Sequence, residues 1–264
     1  MRVAALYDIH GNLPALEAVL EEMQRAHVDR VVVGGDVLPG PMFRETIARL
    51  LELDLPVHFI QGNCEVAVLE ERAGAHAEPL PEQAREIIRW TAQELPAEHA
   101  QILAGWPKTL RLEIPAVGDV LFCHGTPRHE NEHFTRLTPE NRLLPLFEPL
   151  GVQLIVCGHT HMQFDRMVGR TRVVNAGSVG MPFGEPGADW LLVGPEVELR
   201  HTSYELTKAA ETIRRTDYPE AEEYATRYVL QPPSETQMLE IFSRGQLRYG
   251  PETVGPEPAI IAVR

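Results

Sequence analysis

Arg2-Val3-Ala4-Ala5-Leu6-Tyr7-Asp8-Ile9-His10-Gly11-Asn12 is the stretch whose reading decides the fold. Its first residues form a short apolar run that reads as a buried strand, and Asp8 and His10 follow at its end. Asn12 then offers an N-cap and Pro14 suits the first turn of a helix over about 13–26, with Glu17, Glu21 and Glu22 on its solvated side. Strand, polar loop and helix in that order open an α/β unit.

The same order recurs downstream. Val28 to Gly34 reads as a strand ending in Gly34-Gly35-Asp36, a helix over about 42–53 follows, and Val57-His58-Phe59-Ile60 ends in Gly62-Asn63. This alternation predicts parallel β-α-β units. Residues 65–104 are helical in character and punctuated by Pro79, Pro81 and Pro96. Strands then return with little helix between them, at 109–114, 117–123, 154–157, 162–168, 170–174, 190–193 and 196–203, and only about 140–150 reads as helix. Consecutive short strands imply antiparallel pairing. The fold class is therefore α/β with mixed sheets, two sheets face to face and helices outside. After Tyr204, residues 206–215, 219–230 and 235–243 read as helices, and a Pro- and Gly-containing tail begins at Gly250. Residues 1–204 form one domain in this reading, and 205–264 a helical C-terminal extension packed on it.

Composition narrows the function. No apolar stretch approaches the ~20 residues of a membrane span. The apolar N-terminus runs straight into Asp8 and His10, so a signal peptide would consume them, and a cytoplasmic protein is expected. Cys64, Cys123 and Cys157 lack C-x-x-C spacing, and the last two close apolar runs, which suits small core residues in a reducing compartment. A net charge of -14, from 38 acidic and 24 basic residues, disfavours long nucleic acid as a partner. A small phosphorylated molecule remains compatible, because bound metal can reverse the local field.

Asp8, His10, Asp36, Asn63, His124, His159 and His161 each sit just past a strand-like run. Taken singly, the two aspartates suit turns or N-caps, Asn63 an Asx turn, and His124 a hydrogen-bonded core histidine. Together they place polar ligands along one sheet edge, where α/β folds collect their chemistry. On an extended backbone, residues two apart point the same way, so Asp8 with His10 and His159 with His161 are expected to present paired ligands. Imidazoles suit Zn, Mn, Fe or Ni, and a carboxylate such as Asp36 can bridge two cations.

The motifs Asp8-Ile9-His10, Gly35-Asp36, Gly62-Asn63, Cys123-His124-Gly125 and Gly158-His159-Thr160-His161 resemble those of the calcineurin-like metallophosphoesterases, from Met1 to about Tyr204. Asn175-Ala176-Gly177-Ser178-Val179-Gly180 is similar to that family's loop after the last histidine pair. The resemblance implies a four-layer α/β/β/α sandwich and two divalent transition-metal ions, manganese first, with iron, zinc or nickel as alternatives. It implies that one ion takes Asp8, His10, Asp36 and His161. The other takes Asp36, Asn63, His124 and His159, with Asp36 bridging and a hydroxide between the cations as nucleophile.

Two departures refine the resemblance. Many members carry histidine after Gly-Asn, where this chain has Cys64 followed by Glu65. That variant resembles the small YfcE-like phosphodiesterase branch, and a neutral thiol is a poor proton donor. Gly35-Asp36-Val37-Leu38-Pro39-Gly40-Pro41 also lacks the arginine of phosphoprotein phosphatases. The expected function is hydrolysis of small phosphodiesters or nucleotides. Phosphomonoester hydrolysis, nucleotide pyrophosphate or dinucleoside polyphosphate cleavage, and a noncatalytic protein-binding scaffold are the alternatives.

Beyond the ligands, Asp36 and Asn63 are catalytic candidates at the metals, and Arg128 is a candidate phosphate clamp in the loop after His124. His129 and His133 read as exposed loop histidines, either of which offers a replacement proton donor. Ser178 reads as a tight-turn residue, because Ala176 breaks a G-x-S-x-G elbow. Residues 65–104 offer a cap over the cleft, and 205–264 a surface for a second copy of the chain.

Overall fold

The computed structural model describes residues 1–75, 81–248 and 259–260. In β1 (Val3–Leu6), successive side chains face two different cores, as the two-residue period of a strand requires. Val3, Ala5 and Tyr7 pack into the space between two sheets, while Ala4 and Leu6 pack outward against helices. A strand buried on both faces reads as a continuous apolar run, which is why this segment carries no alternation in its sequence.

The first sheet runs β10-β9-β1-β2-β3. β1, β2 (Arg30–Val33) and β3 (Val57–Phe59) are parallel, joined by α1 (Leu13–Arg25) and α2 (Phe43–Leu51). β9 (Ala188–Val193) and β10 (Val197–Thr202) complete it antiparallel. The second sheet runs β11-β4-β5-β6-β8-β7. Its members are β4 (Thr109–Ile114), β5 (Gly118–Cys123), β6 (Leu154–Cys157), β7 (Phe164–Val168), β8 (Thr171–Asn175) and β11 (Ala259–Ile260).

Three hydrophobic cores hold four layers together. One joins the first sheet to α1, α2 and the helices of residues 63–104, one lies between the sheets, and one joins the second sheet to α6 (Glu140–Phe147). Cys123 and Cys157 belong to this last core, as expected of small apolar residues. The segment expected to be helical over 65–104 is three helices, α3 (Asn63–Arg72), α4 (Glu82–Glu94) and α5 (Ala97–Ala104). Pro81 and Pro96 stand at the N-caps of the last two, where a missing N–H costs little.

The C-terminal segment forms α7 (Leu206–Arg214), α8 (Ala221–Tyr224), which continues as one π-helical stretch over Ala225–Leu230, and α9 (Glu235–Phe242). Its apolar face, from Ala209 through Val229, buries against Met42 and Ile87. Most of the tail expected from Gly250 lies outside the described residues; within it, Ala259–Ile260 pair in parallel with β4. Among the described residues, no helix is long and apolar enough to cross a membrane.

Candidate metal centre

The seven residues singled out in the sequence come together at the C-terminal ends of β1, β2, β5 and β6 and the N-terminus of α3. They do so on a backbone that is not extended. Asp8, His10, Asp36, His159 and His161 all have positive φ, between 46° and 65°. The expected i, i+2 pairing along a continuing strand is thus replaced by left-handed turns, which reverse the chain while keeping both side chains inside. Such conformations are uncommon for residues other than glycine and cost of order 1–3 kcal/mol each, so the surroundings must enforce them. Part of the enforcement is visible: Asp8 N donates to Gly35 O at 3.1 Å and His10 N donates to Asp36 O at 2.9 Å. Gly35, at φ 91°, lies so close to the Gly62 loop that a Cβ on it would stand 2.4 Å from Gly62 N.

Two clusters lie on either side of Asp36. Asp8, His10 and His161 offer ligand atoms within 4.8 Å of one another, and so do Asp36, His124 and His159. Asp36 Oδ2 is 3.8 Å from His10 Nε2 and 3.4 Å from His124 Nε2, which sets it between the clusters. Asn63 Oδ1 lies 3.0 Å from His124 Nε2 and completes the second group.

Hydrogen bonding on the far side of three rings fixes what they present to the centre. Nδ1 of His10, His124 and His161 lies 3.2, 2.8 and 2.9 Å from the backbone oxygens of Pro39, Gly34 and Met181. A carbonyl only accepts, so each Nδ1 carries the proton and each neutral ring turns an Nε2 lone pair inward. Those lone pairs face one another and carboxylates: His10 Nε2 is 3.3 Å from His161 Nε2, and His161 Nε2 is 3.3 Å from Asp8 Oδ1. Among the described residues, Asp8 Oδ1 is buried without a hydrogen-bond partner. Acceptors packed against acceptors around an orphaned carboxylate oxygen need positive charge between them. The donor set therefore fits divalent transition-metal ions.

Without metal, protons supply that charge. Burial disfavours a charged His124, yet the Asp36 and Asp8 carboxylates override it and push its pKa up to about 10. Burial also opposes protonation of His161, which Asp8 nevertheless raises. Burial and the charge of His124 pull His159 down to about 3. At neutral pH a cation must therefore displace at least the His124 proton, so binding releases protons and tightens as pH rises. Metal affinity is expected to increase by about one log unit per pH unit across the neutral range. Competition with a chelator at several pH values checks this; a flat dependence contradicts it.

Two backbone supports were not anticipated from sequence. Glu65, fully buried, receives the N–H groups of Asp36, Val37 and Leu38 at 2.8, 2.8 and 3.4 Å, and that of Gly62 at 2.7 Å. One carboxylate thereby ties the Asp36 loop to the Asn63 loop. Burial and the neighbouring Asp36 charge push its pKa up to about 7, against the pull of these donors. The available signal was a glutamate three residues after Gly62, which is half of a capping box. Asn175 is the other support, donating to Gly158 O at 2.6 Å and to Thr160 Oγ1 at 3.1 Å beneath the histidine pair. Ser178 is the expected turn residue, with Oγ donating to Asp8 O at 2.7 Å.

The remaining candidates fall out differently. Cys64 borders the centre, with Sγ grouped with His10 and Asp36. Burial and the Asp36 charge push its thiol well above its ordinary value, so it stays protonated. Arg128 makes a bidentate fork to buried Glu132, Nε at 2.6 Å and Nη2 at 2.5 Å. That carboxylate occupies the Nε/Nη2 edge of the guanidinium. His133, expected to be exposed, is 8% exposed; its ring is 6.1 Å from that of His159 and 5.4 Å from Phe242 of α9. Its Nε2 lies 3.0 Å from Arg244 O, so the C-terminal segment buries it. His129, also expected to be exposed, is half-buried within its loop, where Nδ1 accepts from Asn131 N at 3.1 Å.

Comparison with known proteins agrees with this geometry. The calcineurin-like phosphoesterase superfamily domain matches residues 1–194, and the chain belongs to that superfamily. Membership makes it a phosphoesterase-family protein and implies divalent metal ions. An uncharacterized protein of Methanocaldococcus jannaschii is 25% identical over 237 residues, covering 83% of this chain and 94% of the relative. The crystal structure of a metallophosphoesterase from Sphaerobacter thermophilus is similar at 27% identity and a TM-score of 0.66, covering 86% of this chain and 98% of that one. A hypothetical protein from Pyrococcus horikoshii OT3 shares the fold at 20% identity and a TM-score of 0.74, covering 88% and 99%.

Proposed function

We propose that the chain is a binuclear metal-dependent hydrolase of small phosphodiesters, with manganese its first-choice metal. The observation that carries the reading is the inward convergence of His10, His124 and His161 lone pairs on Asp36 and the orphaned Asp8 oxygen. Asp8, His10 and His161 would hold one ion, Asn63, His124 and His159 the other, and Asp36 both. Two bound cations supply Lewis-acid chemistry, lowering the pKa of water toward ~7 and neutralising charge on phosphate oxygens.

The chain's own residues decide which ester suits the site. A backbone carbonyl holds each of these three rings through Nδ1, which fixes the direction of its Nε2. Cys64 stands where related sites carry a proton-donating imidazole, and its protonated, high-pKa thiol is mismatched to proton transfer near neutrality. The departing oxygen must then leave with little help. A diester, or an ester with a stabilised leaving group, meets that condition better than an alkyl monoester dianion.

Metal content and turnover on one preparation test the reading. The expected result is two ions per chain and faster cleavage of bis-p-nitrophenyl phosphate than of glycerol phosphate; metal-free protein or the reverse order overturns it. Cys64→His is expected to raise the ratio of monoester to diester turnover by at least about tenfold, since a positioned proton donor contributes ~10²–10⁴. A ratio that does not move would show that Cys64 does not set ester preference.

A further inference from the structure

Beside the metal cluster lies a cavity of about 450 Å³ whose floor includes His10, Asn63 and Cys64. That volume lies in the range of small-molecule sites and leaves room beyond a lone phosphate group. Ala67 of α3 and Ala84, Ile87 and Ile88 of α4 form one apolar side. The C-terminal segment adds Tyr218, Tyr224 and Tyr228 to the lining. Neither group includes a metal ligand.

The aromatic wall is anchored to the centre. Tyr224 is 3% exposed, and its hydroxyl donates to His10 O at 2.9 Å. Tyr218 meets it edge-on at 6.0 Å, and Tyr228 lies 5.7 Å away on the other side. Tyr228 and Arg227 belong to the π-helical turn, a rare conformation that recurs at functional sites.

Charge at the mouth is acidic. Glu220 and Glu223 both accept from Gln83, the second at 3.2 Å, and both line the cavity. Arg227 is the sole arginine or lysine among the described lining residues. Its Nη1 is 3.2 Å from Glu223 Oε1 and its guanidinium lies 5.8 Å from the Tyr228 ring centroid, so its charge is already engaged. A polyphosphate chain entering here would meet a net negative mouth, with two carboxylates against one cation. A flat, uncharged group with N–H donors would instead meet aromatic faces and acceptors.

We infer that this cavity binds the uncharged nucleoside arm of a phosphodiester, placed by residues 218–228 and α4, and that it disfavours substrates with a polyphosphate chain. The inference rests on the phosphodiesterase reading above for its phosphate, but the nucleoside subsite can be tested without one.

Adenosine, which has no phosphate, is titrated into metal-free and manganese-loaded protein while intrinsic fluorescence is followed; Trp90 packs edge-on at 5.5 Å against Tyr218 and reports on the wall. Saturable binding is expected in both forms, weakened at least tenfold by Ala84→Trp, which fills the cavity, and by Tyr228→Ala, which removes a wall. Absent binding, or binding unchanged in both variants, overturns the inference whether or not the protein hydrolyses any ester. A second arm uses the loaded enzyme. Adenosine 5′-p-nitrophenyl phosphate is expected to exceed both methyl p-nitrophenyl phosphate and diadenosine tetraphosphate at least tenfold in kcat/KM, and Ala84→Trp to shrink the advantage over the methyl ester. Preference for the methyl ester or the tetraphosphate refutes the assignment. Failure to cleave any diester, with adenosine still bound, refutes the phosphodiesterase reading and leaves the subsite standing.

Discussion

Asp36→Asn is expected to lower kcat/KM for bis-p-nitrophenyl phosphate by at least about 10³-fold, or ~4 kcal/mol of transition-state stabilisation. The protein should also retain fewer than two ions. The substitution is nearly isosteric, so Oδ1 can still accept from Cys64 N, now at 2.9 Å, and the loop is kept. What is lost is the charge between the clusters, within 3.8 Å of His10 Nε2 and 3.4 Å of His124 Nε2. Burial would ordinarily raise the pKa of this carboxyl, but His124 holds it well below the carboxylate range, so it is ionised at neutral pH. An amide offers one neutral oxygen in its place and cannot hold two cations together. Metal analysis and kinetics on the same sample decide the matter. Near-normal turnover with two ions bound would refute a bridging role.

Glu65→Ala is expected to be the most destabilising single change near the site, at about 3–5 kcal/mol. A domain of this size loses roughly 2–4 °C of Tm per kcal/mol, so a fall of roughly 6–20 °C should appear in thermal unfolding. Deleting the carboxylate leaves the N–H groups of Asp36, Val37, Leu38 and Gly62 without their acceptor in a dry interior. Because those N–H groups belong to the two loops that carry Asp36 and Asn63, metal retention should fall along with stability. Glu65→Gln should be milder, since its amide oxygen still accepts along one edge while its NH₂ opposes donors on the other. A Tm change below about 2 °C for Glu65→Ala would mean that the loops are held by something else.

The positions of the candidate ligands were legible because each follows a strand, and strand ends in a parallel unit collect on one edge. Asp8 after Leu6-Tyr7, Asp36 after Val33-Gly34-Gly35 and His159 after Cys157-Gly158 are all of this kind. Their backbone was not legible. Sequence spacing describes an extended chain, whereas five of these residues occupy left-handed turns that only the neighbouring loops can enforce. His133 failed for a related reason: its burial comes from Phe242 and Arg244, more than a hundred residues downstream. The pairing of Arg128 was not legible either: its loop carries two glutamates, Glu130 and Glu132, both buried, and nothing in the spacing says that the first pairs with Lys108 and the second with Arg128.

Local order and chemistry were therefore set by the sequence itself: alternating strands and helices, apolar runs buried on both faces, and the identity of groups able to hold metal. Those properties depend on neighbours along the chain. The tertiary structure alone decided that Glu65 clasps two loops, and that the C-terminal helices, expected to pack on the domain, supply a wall beside the metal centre. Each of these joins residues far apart in sequence, and the hydrogen bonds and burial that fix them come into being only when the layers close.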